Sequence, residues 1–161
     1  IILRPTDLAT DRSSSFSVIE HILNKINKSF DYIILLQPTS PLRNNEHIDS
    51  ALDSMVNKSA DAIISVCEEV HSPLLSNTLP RNNSMVNFLR DIKHEARSQD
   101  LPKFYRLNGA IYIYNIKKLL KQKTLFFKEN IFAFKMKRKH SVDIDDEFDF
   151  MLTEIILNKN L

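Results

Sequence analysis

The spacing of apolar residues predicts alternating helices and strands in the first part of the chain. Between 13 and 28 they recur every three or four residues, as on one helix face, and the serines at 13–15 can cap its start. Residues 32–36 form a short apolar run typical of a buried strand, and 44–58 and 61–67 repeat the helix and the strand. A strand, a helix and a strand in this span indicate a βαβ unit with parallel strands and a right-handed crossover.

The second part of the chain is less regular. Residues 69–104 are polar, are interrupted by prolines and are interpreted as an excursion from the sheet, an arm or a flap. The pattern then predicts a strand, a short helix, a strand and a final amphipathic helix, over 109–114, 116–121, 131–136 and from about 146. We expect a single α/β domain over 1–161. Because the chain opens on Ile1-Ile2-Leu3, with no Met and no cap, we also expect it to begin inside that domain.

Composition narrows the possible partners. Hydrophobic residues make up 43% of the chain and charged residues 26%, as in ordinary globular proteins. The net charge of +2 does not argue for a nucleic acid, and no apolar run reaches the roughly 20 residues that cross a bilayer, so we expect neither nucleic acid nor membrane as a partner. The single cysteine, Cys67, excludes an internal disulfide, fits a reducing cytoplasmic compartment and is predicted to be a buried structural thiol.

Two aspartates just ahead of the final helix carry candidate chemistry. In an extended backbone, Asp143 and Asp145 point the same way, roughly 6–7 Å apart. Mg²⁺ fits such a pair, because it takes hard oxygen ligands and often binds one or two carboxylates together with substrate phosphates. The alternative is that the acids of this segment cap the helix starting near Asp146, with Asp149 reaching back. The residues alone leave both interpretations open.

Glycine usage and strand ends give two further clues. The chain contains one glycine, Gly109, although proteins that bind nucleotide phosphates usually have a glycine-rich loop. In open α/β sheets, ligands bind beyond the carboxyl ends of the strands. That rule selects the Gln-Pro-Thr-Ser segment at 37–40 and the loop after Cys67.

Five segments then stand in a characteristic order. They are RPTDLATD at 4–11, LLQPTSPLR at 35–43, ISVC at 64–67, YRLNGAIY at 105–112 and SVDID at 141–145. In this order and spacing they resemble the CMP-sialic acid synthetases, or acylneuraminate cytidylyltransferases, from end to end. The resemblance implies a Rossmann-like nucleotidyltransferase sheet in three layers, α/β/α, usually paired into a homodimer through an extended arm. It implies the transfer of CMP from CTP to a nonulosonic acid such as N-acetylneuraminate, with release of pyrophosphate.

The resemblance also implies roles for single residues. The family's two SVDID aspartates bind Mg²⁺, which makes Asp143 and Asp145 the catalytic metal ligands here. The nucleotide contacts carried over are Arg4, Ser15, Gln37, Pro38 and Thr39, and Gln37 also faces the sugar. The sugar contacts carried over are Arg106, Asn108, Tyr112, Phe126, Phe127 and, from the neighbouring subunit, Arg97. The plainer alternatives are a helix cap for Ser15, a simple turn for 37–39, a strand aromatic for Tyr112 and a core pair for Phe126 and Phe127.

Two departures from the family pattern leave alternatives open. The family begins with a strand and a loop of Gly, Ser and Lys that holds the triphosphate and cytosine, and the chain has no match to it; Leu75 also replaces a family lysine. Activity of this chain alone is therefore an open question. The alternatives are an inactive truncated remnant that keeps the sugar pocket and dimer surface, or a synthetase for legionaminic, pseudaminic or Kdo sugars. A small α/β module that binds protein or nucleic acid would leave the motifs unexplained.

Overall fold

The structure, a computed structural model, describes residues 2–10, 12–89 and 101–159. Within these ranges the strands are β1 (Tyr32–Leu35), β2 (Ala62–Glu68), β3 (Tyr105–Asn115) and β4 (Ile131–Met136). The α-helices are α1 (Ser15–Lys25), α2 (Asn45–Asn57), α3 (Ile116–Gln122) and α4 (Glu147–Lys159). Ser14 caps α1 and Asn44 caps α2, each through a side-chain oxygen that accepts a backbone N–H of the first turn.

The strands form one mixed sheet in the order β1-β3-β2-β4. β3 is antiparallel to both of its neighbours, and β4 is parallel to β2. β1 and β2 therefore run in the same direction, as predicted, but β3 lies between them. The local strand-helix-strand pattern predicts direction, whereas the insertion of a later strand depends on contacts far apart in sequence.

β3 begins four residues earlier than predicted, at Tyr105 rather than Gly109. Its polar start, which the apolar pattern leaves unassigned, pairs with the end of β2: Leu107 lies opposite Val66. Ile64 pairs with Tyr112 and Val66 pairs with Leu107, so β2 covers two residue steps where β3 covers five. The extra residues of β3 form a bulge that contains Gly109, whose φ is +70°. Bulges of this kind re-aim side chains and are common next to active sites.

Helices cover both faces of the sheet, which confirms the three-layer α/β/α arrangement. On one face, Ala51 and Met55 of α2 pack on Ile63 and Ile113. On the other face, Ile19 of α1 and the third helix pack around fully buried side chains of the sheet. Cys67 is buried, as predicted. No helix within the described ranges is long and apolar enough to cross a membrane.

The final helix differs from the prediction of an amphipathic helix with one buried face. Most of its large apolar side chains are exposed, namely Phe148, Phe150, Met151, Leu152, Ile155 and Leu157. Phe148, Met151, Leu152 and Ile155 follow the spacing of one helix face, but Phe150 and Leu157 lie on the opposite side, so the apolar residues surround the helix. Of the predicted excursion at 69–104, the described parts contain one short 3-10 turn at Pro73–Leu75 and are otherwise irregular.

Candidate active site

Three oxygen atoms from distant segments meet over Gly109. A Cβ built on Gly109 would lie 2.7 Å from Gln37 Oε1, 2.8 Å from Ser40 Oγ and 2.9 Å from Asp143 Oδ2. Real Cβ atoms do not approach other heavy atoms so closely, and the positive φ of Gly109 also disfavours other residues. The only glycine of the sequence therefore lies where a side chain would separate the loop after β1 from the segment after β4.

Hydrogen bonds join these two segments directly. Ser40 is fully buried, and its hydroxyl lies 3.1 Å from Asn108 O and 3.2 Å from Asp143 Oδ1, both of which can accept its proton. The backbone N–H of Ile144 donates to Thr39 O at 2.8 Å. The loop after β1 is thus bonded to the SVDID segment at Asp143 itself and at the residue that follows it.

Arg43 shapes the loop after β1 from within. Its Nη1 donates to Gln37 O at 2.6 Å and to Ser40 O at 2.5 Å. Burial lowers the pKa of the Arg43 guanidinium, which stays charged at neutral pH because its ordinary pKa is so high. Ser40 lies in the segment 37–40 that the strand-end rule selects, but the motif LLQPTSPLR alone assigns no role to Ser40 or to Arg43.

The aspartates between 143 and 149 divide into two that cap the final helix and two that do not. Asp146 caps α4, because its Oδ1 accepts the N–H of Asp149 at 3.0 Å, and Asp149 Oδ2 accepts the N–H of Asp145 at 3.2 Å. The helix-capping interpretation therefore holds for Asp146 and Asp149. It does not account for the carboxylates of Asp143, which is half-buried at Gly109, or of Asp145, which is exposed.

Tyr112 lies near enough to the Asp143 carboxylate to be affected by its charge. Tyr112 pairs with Leu35 and Ile64 of the neighbouring strands and is partly buried. Burial, and then the negative charge of Asp143, raise the pKa of the Tyr112 phenol. A neutral phenol next to Asp143 can donate a hydrogen bond to a ligand at neutral pH.

Two predicted sugar contacts are engaged within the protein. Asn108 is fully buried, and its side-chain amide bonds Ser65 and Ser141. Arg106 is more exposed, but its Nη2 donates to Ser141 O at 3.1 Å and its Nε lies 3.5 Å from Glu69 Oε2. A ligand carboxylate at Arg106 would therefore compete with Glu69.

Of the remaining predicted residues, Pro38 and Thr39 belong to the loop that meets Gly109, whereas no contact within the described ranges brings Arg4, Ser15, Phe126 or Phe127 to it. Phe127 is buried at the opposite end of β3, where its ring lies 5.6 Å from that of Tyr114, so the core-pair alternative holds for it, while Phe126 is exposed. Arg4 and Ser15 are exposed, and the cap of α1 is Ser14 rather than Ser15. Arg97 lies outside the described residues. Pro38 and Thr39 are exposed in the loop after β1.

A separate open cleft of about 660 Å³ lies at the carboxyl ends of β2 and β4. Acidic, basic and apolar side chains line it together. They are Glu68, Glu69, Val70, Tyr105, Lys135, Met136, Lys137 and Arg138. Lys135 Nζ bonds the Tyr105 hydroxyl at 3.1 Å, so part of the basic run is held at the wall of this cleft. The cleft flanks the segment that leads to Asp143.

The donor set at Gly109 suits a hard cation. Its atoms are carboxylate, amide and hydroxyl oxygens, the ligand types that Mg²⁺ prefers. Within the described residues, no three His, Cys, Asp or Glu side chains gather closely enough to hold a metal alone. The site therefore fits an ion that takes a few protein oxygens and completes its shell with water or phosphate.

Gly109→Ala tests the close approach. The left-handed backbone should cost alanine about 1–2 kcal/mol, and displacement of the three oxygens should add to that loss. Asn83→Ala is the matched control, because Asn83 has a similar φ of 55° but lies in an exposed turn. Chemical denaturation should show a larger loss of unfolding free energy for Gly109→Ala; equal losses would mean that the contacts over Gly109 are not tight.

His47 should make the folding stability of the protein sensitive to acid. Its ring lies 4.7 Å from that of His140, and its Nδ1 accepts the N–H of Asn44. Burial and then the charge of His140 lower the pKa of His47, and the opposing effect of Glu46 is smaller. The unfolded chain then binds more protons, so stability falls as pH drops through about 6.5. His47→Gln keeps a capping side chain. Its melting temperature should fall less between pH 7.5 and 5 than that of the wild type; an identical fall would contradict this role.

Comparison with known proteins identifies relatives along almost the whole chain. It is 31% identical over 151 residues to an N-acylneuraminate cytidylyltransferase of Streptococcus agalactiae serotype V, covering 94% of this chain and 36% of the relative. It is 33% identical over 159 residues to an N-acylneuraminate cytidylyltransferase of Escherichia coli O18:K1:H7, covering 98% of this chain and 37% of the relative. The chain thus spans a little over a third of the length of these relatives.

Two further comparisons agree with these. A CMP-N,N'-diacetyllegionaminic acid synthase of Legionella pneumophila is 29% identical, over 98% of this chain and 68% of the relative. A solved structure of CMP:2-keto-3-deoxy-manno-octonic acid synthetase complexed with CTP has a TM-score of 0.62 at 14% identity, over 94% of this chain and 70% of that one. No family model matches the chain. The chain is therefore similar, over nearly all of its length, to part of the N-acylneuraminate cytidylyltransferases, which confirms the resemblance, and it shares the fold of the solved CTP-bound synthetase.

Proposed function

We propose that the chain is the part of a cytidylyltransferase that joins CTP to a nonulosonic acid, and that it acts in the cytoplasm. One observation carries the proposal: LLQPTSPLR, RLNGAIY and SVDID are far apart in sequence, yet Gln37, Gly109 and Asp143 converge at one point. That point lies beyond the carboxyl end of β1, where open α/β sheets bind ligands. The names of the relatives supply the reaction, and a lone buried thiol, Cys67, fits a reducing compartment.

Asp143 and Asp145 are the proposed holders of Mg²⁺. Asp143 already faces the Gln37 and Ser40 oxygens, and Asp145 is exposed two residues further on. When bound, the ion would neutralise negative charge on the phosphates of the nucleotide. A site with two carboxylates, completed by phosphate oxygens, is the usual protein environment of Mg²⁺.

The reaction asks the protein chiefly to position its substrates. The sugar hydroxyl forms a bond to the α-phosphorus of CTP, the bond from that phosphorus to the bridging oxygen breaks, pyrophosphate leaves and the hydroxyl proton is released. Gln37 can orient a hydroxyl or carboxylate, because its amide both donates and accepts. Tyr112, whose phenol senses the charge of Asp143, can also donate a hydrogen bond, since its raised pKa keeps it neutral. Because negative charge spreads over the phosphate oxygens in this reaction, a cation held by protein oxygens, together with hydrogen-bond donors, would stabilise it.

N-acetylneuraminate is the proposed sugar, because it is an N-acylneuraminate and the relatives of 31% and 33% identity are named N-acylneuraminate cytidylyltransferases. The legionaminic acid synthase makes a legionaminic sugar the second candidate. Both have the nonulosonic acid framework, so the experiment compares them side by side. An inactive remnant would form neither product.

Asp143→Asn and Asp145→Asn should each lower CMP-sugar formation with CTP and Mg²⁺ by about 10²-fold or more, because each removes a charge from the proposed metal site. Asp146→Asn is the matched control, since asparagine caps a helix as well as aspartate. The assay measures CMP-sugar with N-acetylneuraminate and with a legionaminic acid as substrates. Near-normal turnover in either of the first two variants would refute the metal assignment.

A second measurement does not depend on turnover. Because the sequence has one glycine, selective ¹⁵N-glycine labelling gives one backbone amide signal, from Gly109, directly below Asp143. Addition of Mg²⁺ with CTP should shift this signal in the wild type and in Asp146→Asn, and should leave it in place in Asp143→Asn. A shift without any product would support the inactive remnant; no shift in the wild type would contradict the proposed site.

We further propose that a second copy of this chain is its partner. Within 79–89, an irregular segment exposes several large apolar side chains, namely Leu79, Met85, Val86 and Leu89. Such contiguous exposure is typical of an interaction surface. The resemblance implies a homodimer built through this part of the chain.

Charges placed on this segment should separate the two copies. Met85→Glu with Val86→Glu should shift sedimentation velocity profiles from dimer to monomer, because two carboxylates would be desolvated in each contact. Val56→Glu is the control, since Val56 is equally exposed but lies on α2. A wild-type chain that sediments as a monomer at all concentrations would refute the proposed partner.

A further inference from the structure

Three buried polar side chains form a continuous hydrogen-bonded network behind the candidate site. The Ser65 hydroxyl on β2 donates to Asn108 Oδ1 on β3 at 2.6 Å. Asn108 Nδ2 donates to Ser141 Oγ, after β4, at 2.9 Å. Ser65 and Asn108 are 0% exposed and Ser141 is 1% exposed. We name these three residues the buried amide network.

The hydrogen-bonding groups of this network are satisfied within the protein. Ser65 Oγ also accepts the N–H of Ile111 at 2.7 Å, and the Ser141 hydroxyl donates to Lys137 O at 2.9 Å. Asn108 Oδ1 accepts a second bond, from the N–H of Ala110 at 3.3 Å. Apolar side chains would fill this space without needing partners, whereas a fully bonded polar network holds its members in one arrangement.

The network reaches the site at two points. Ser141 stands two residues before Asp143, so its position sets the start of the SVDID segment. Asn108 stands directly before Gly109, and its backbone oxygen lies 3.1 Å from the Ser40 hydroxyl. The same three side chains therefore define both the floor of the site and the segment that carries the aspartates.

We propose that Ser65, Asn108 and Ser141 are positioning residues, which hold the Asp143 carboxylate where a divalent cation can use it. Asn108 then acts inward, through its amide, rather than as a sugar contact. The inference rests on the proposed function, since it concerns the cation of that site. It goes beyond that function, because Ser65 and Ser141 lie under the surface and cannot touch a substrate.

A merely structural role and a positioning role differ in what a variant changes. Loss of a buried hydroxyl leaves a partner unsatisfied and lowers stability in either case. Only a positioning role also weakens the response of the site to a cation in molecules that remain folded. The experiment therefore measures both quantities in the same samples.

Ser65→Ala and Ser141→Ala are the test variants, and Ser72→Ala is the matched control. Ser72 is also buried, at 8% exposure, but its hydroxyl accepts the N–H of Leu74, outside the network. The probe is Mn²⁺ in the presence of CTP, followed by paramagnetic broadening of the Gly109 amide in ¹⁵N-glycine-labelled protein. Thermal unfolding of each sample confirms that it is folded at the temperature of the titration.

Ser65→Ala and Ser141→Ala should need severalfold more Mn²⁺ than the wild type for half-maximal broadening, and Ser72→Ala should match the wild type. Wild-type Mn²⁺ midpoints in both folded variants would overturn the positioning role, whatever happens to stability. If one variant fails to fold, the other decides, because each breaks a different bond of Asn108. Absence of broadening in the wild type would refute the proposed cation site itself and the positioning role with it.

Discussion

The candidate site depends on a close approach that only glycine permits. The loop after β1 and the segment after β4 can meet because Gly109 has no Cβ between Gln37, Ser40 and Asp143. The bulge in β3 supplies the positive φ that brings this residue under the three oxygens. A sequence with one glycine has thus placed it where backbone geometry and the proposed chemistry require the same residue.

This arrangement concentrates oxygen atoms, and no salt bridge within the described ranges neutralises the Asp143 carboxylate. Within the described ranges, the salt bridges join Lys103 to Glu68, Arg106 to Glu69 and Lys118 to Asp61, and none of them includes Asp143. Arg43 lies close, but it bonds backbone carbonyls of the loop rather than the carboxylate. A half-buried carboxylate facing an amide oxygen and a hydroxyl is stabilised by a cation between them, and this supports a metal at the site over a helix cap.

The fold was largely predictable, because its helices and most of its strands carry local periodic signals. The helices on the two faces of the sheet began at Ser15 and Asn45, next to capping residues that the sequence displays. The start of β3 was not predictable, since Tyr105 and Arg106 look like loop until the end of β2 lies beside them. The prediction of a buried face on the final helix was wrong, because its apolar residues show a local helical spacing but surround the helix and are mostly exposed.

The motifs predicted which residues lie at the site better than they predicted where the side chains of those residues point. The motifs named Gln37 and Asp143, and the fold brings them together at Gly109. They also named Asn108, but a motif does not record which way a side chain faces, and here the amide points into the protein toward two buried serines. A fully buried polar group persists only where its bonds are satisfied. The same residue can thus belong to a site's motif and act through the geometry it imposes on Asp143, without touching the ligand.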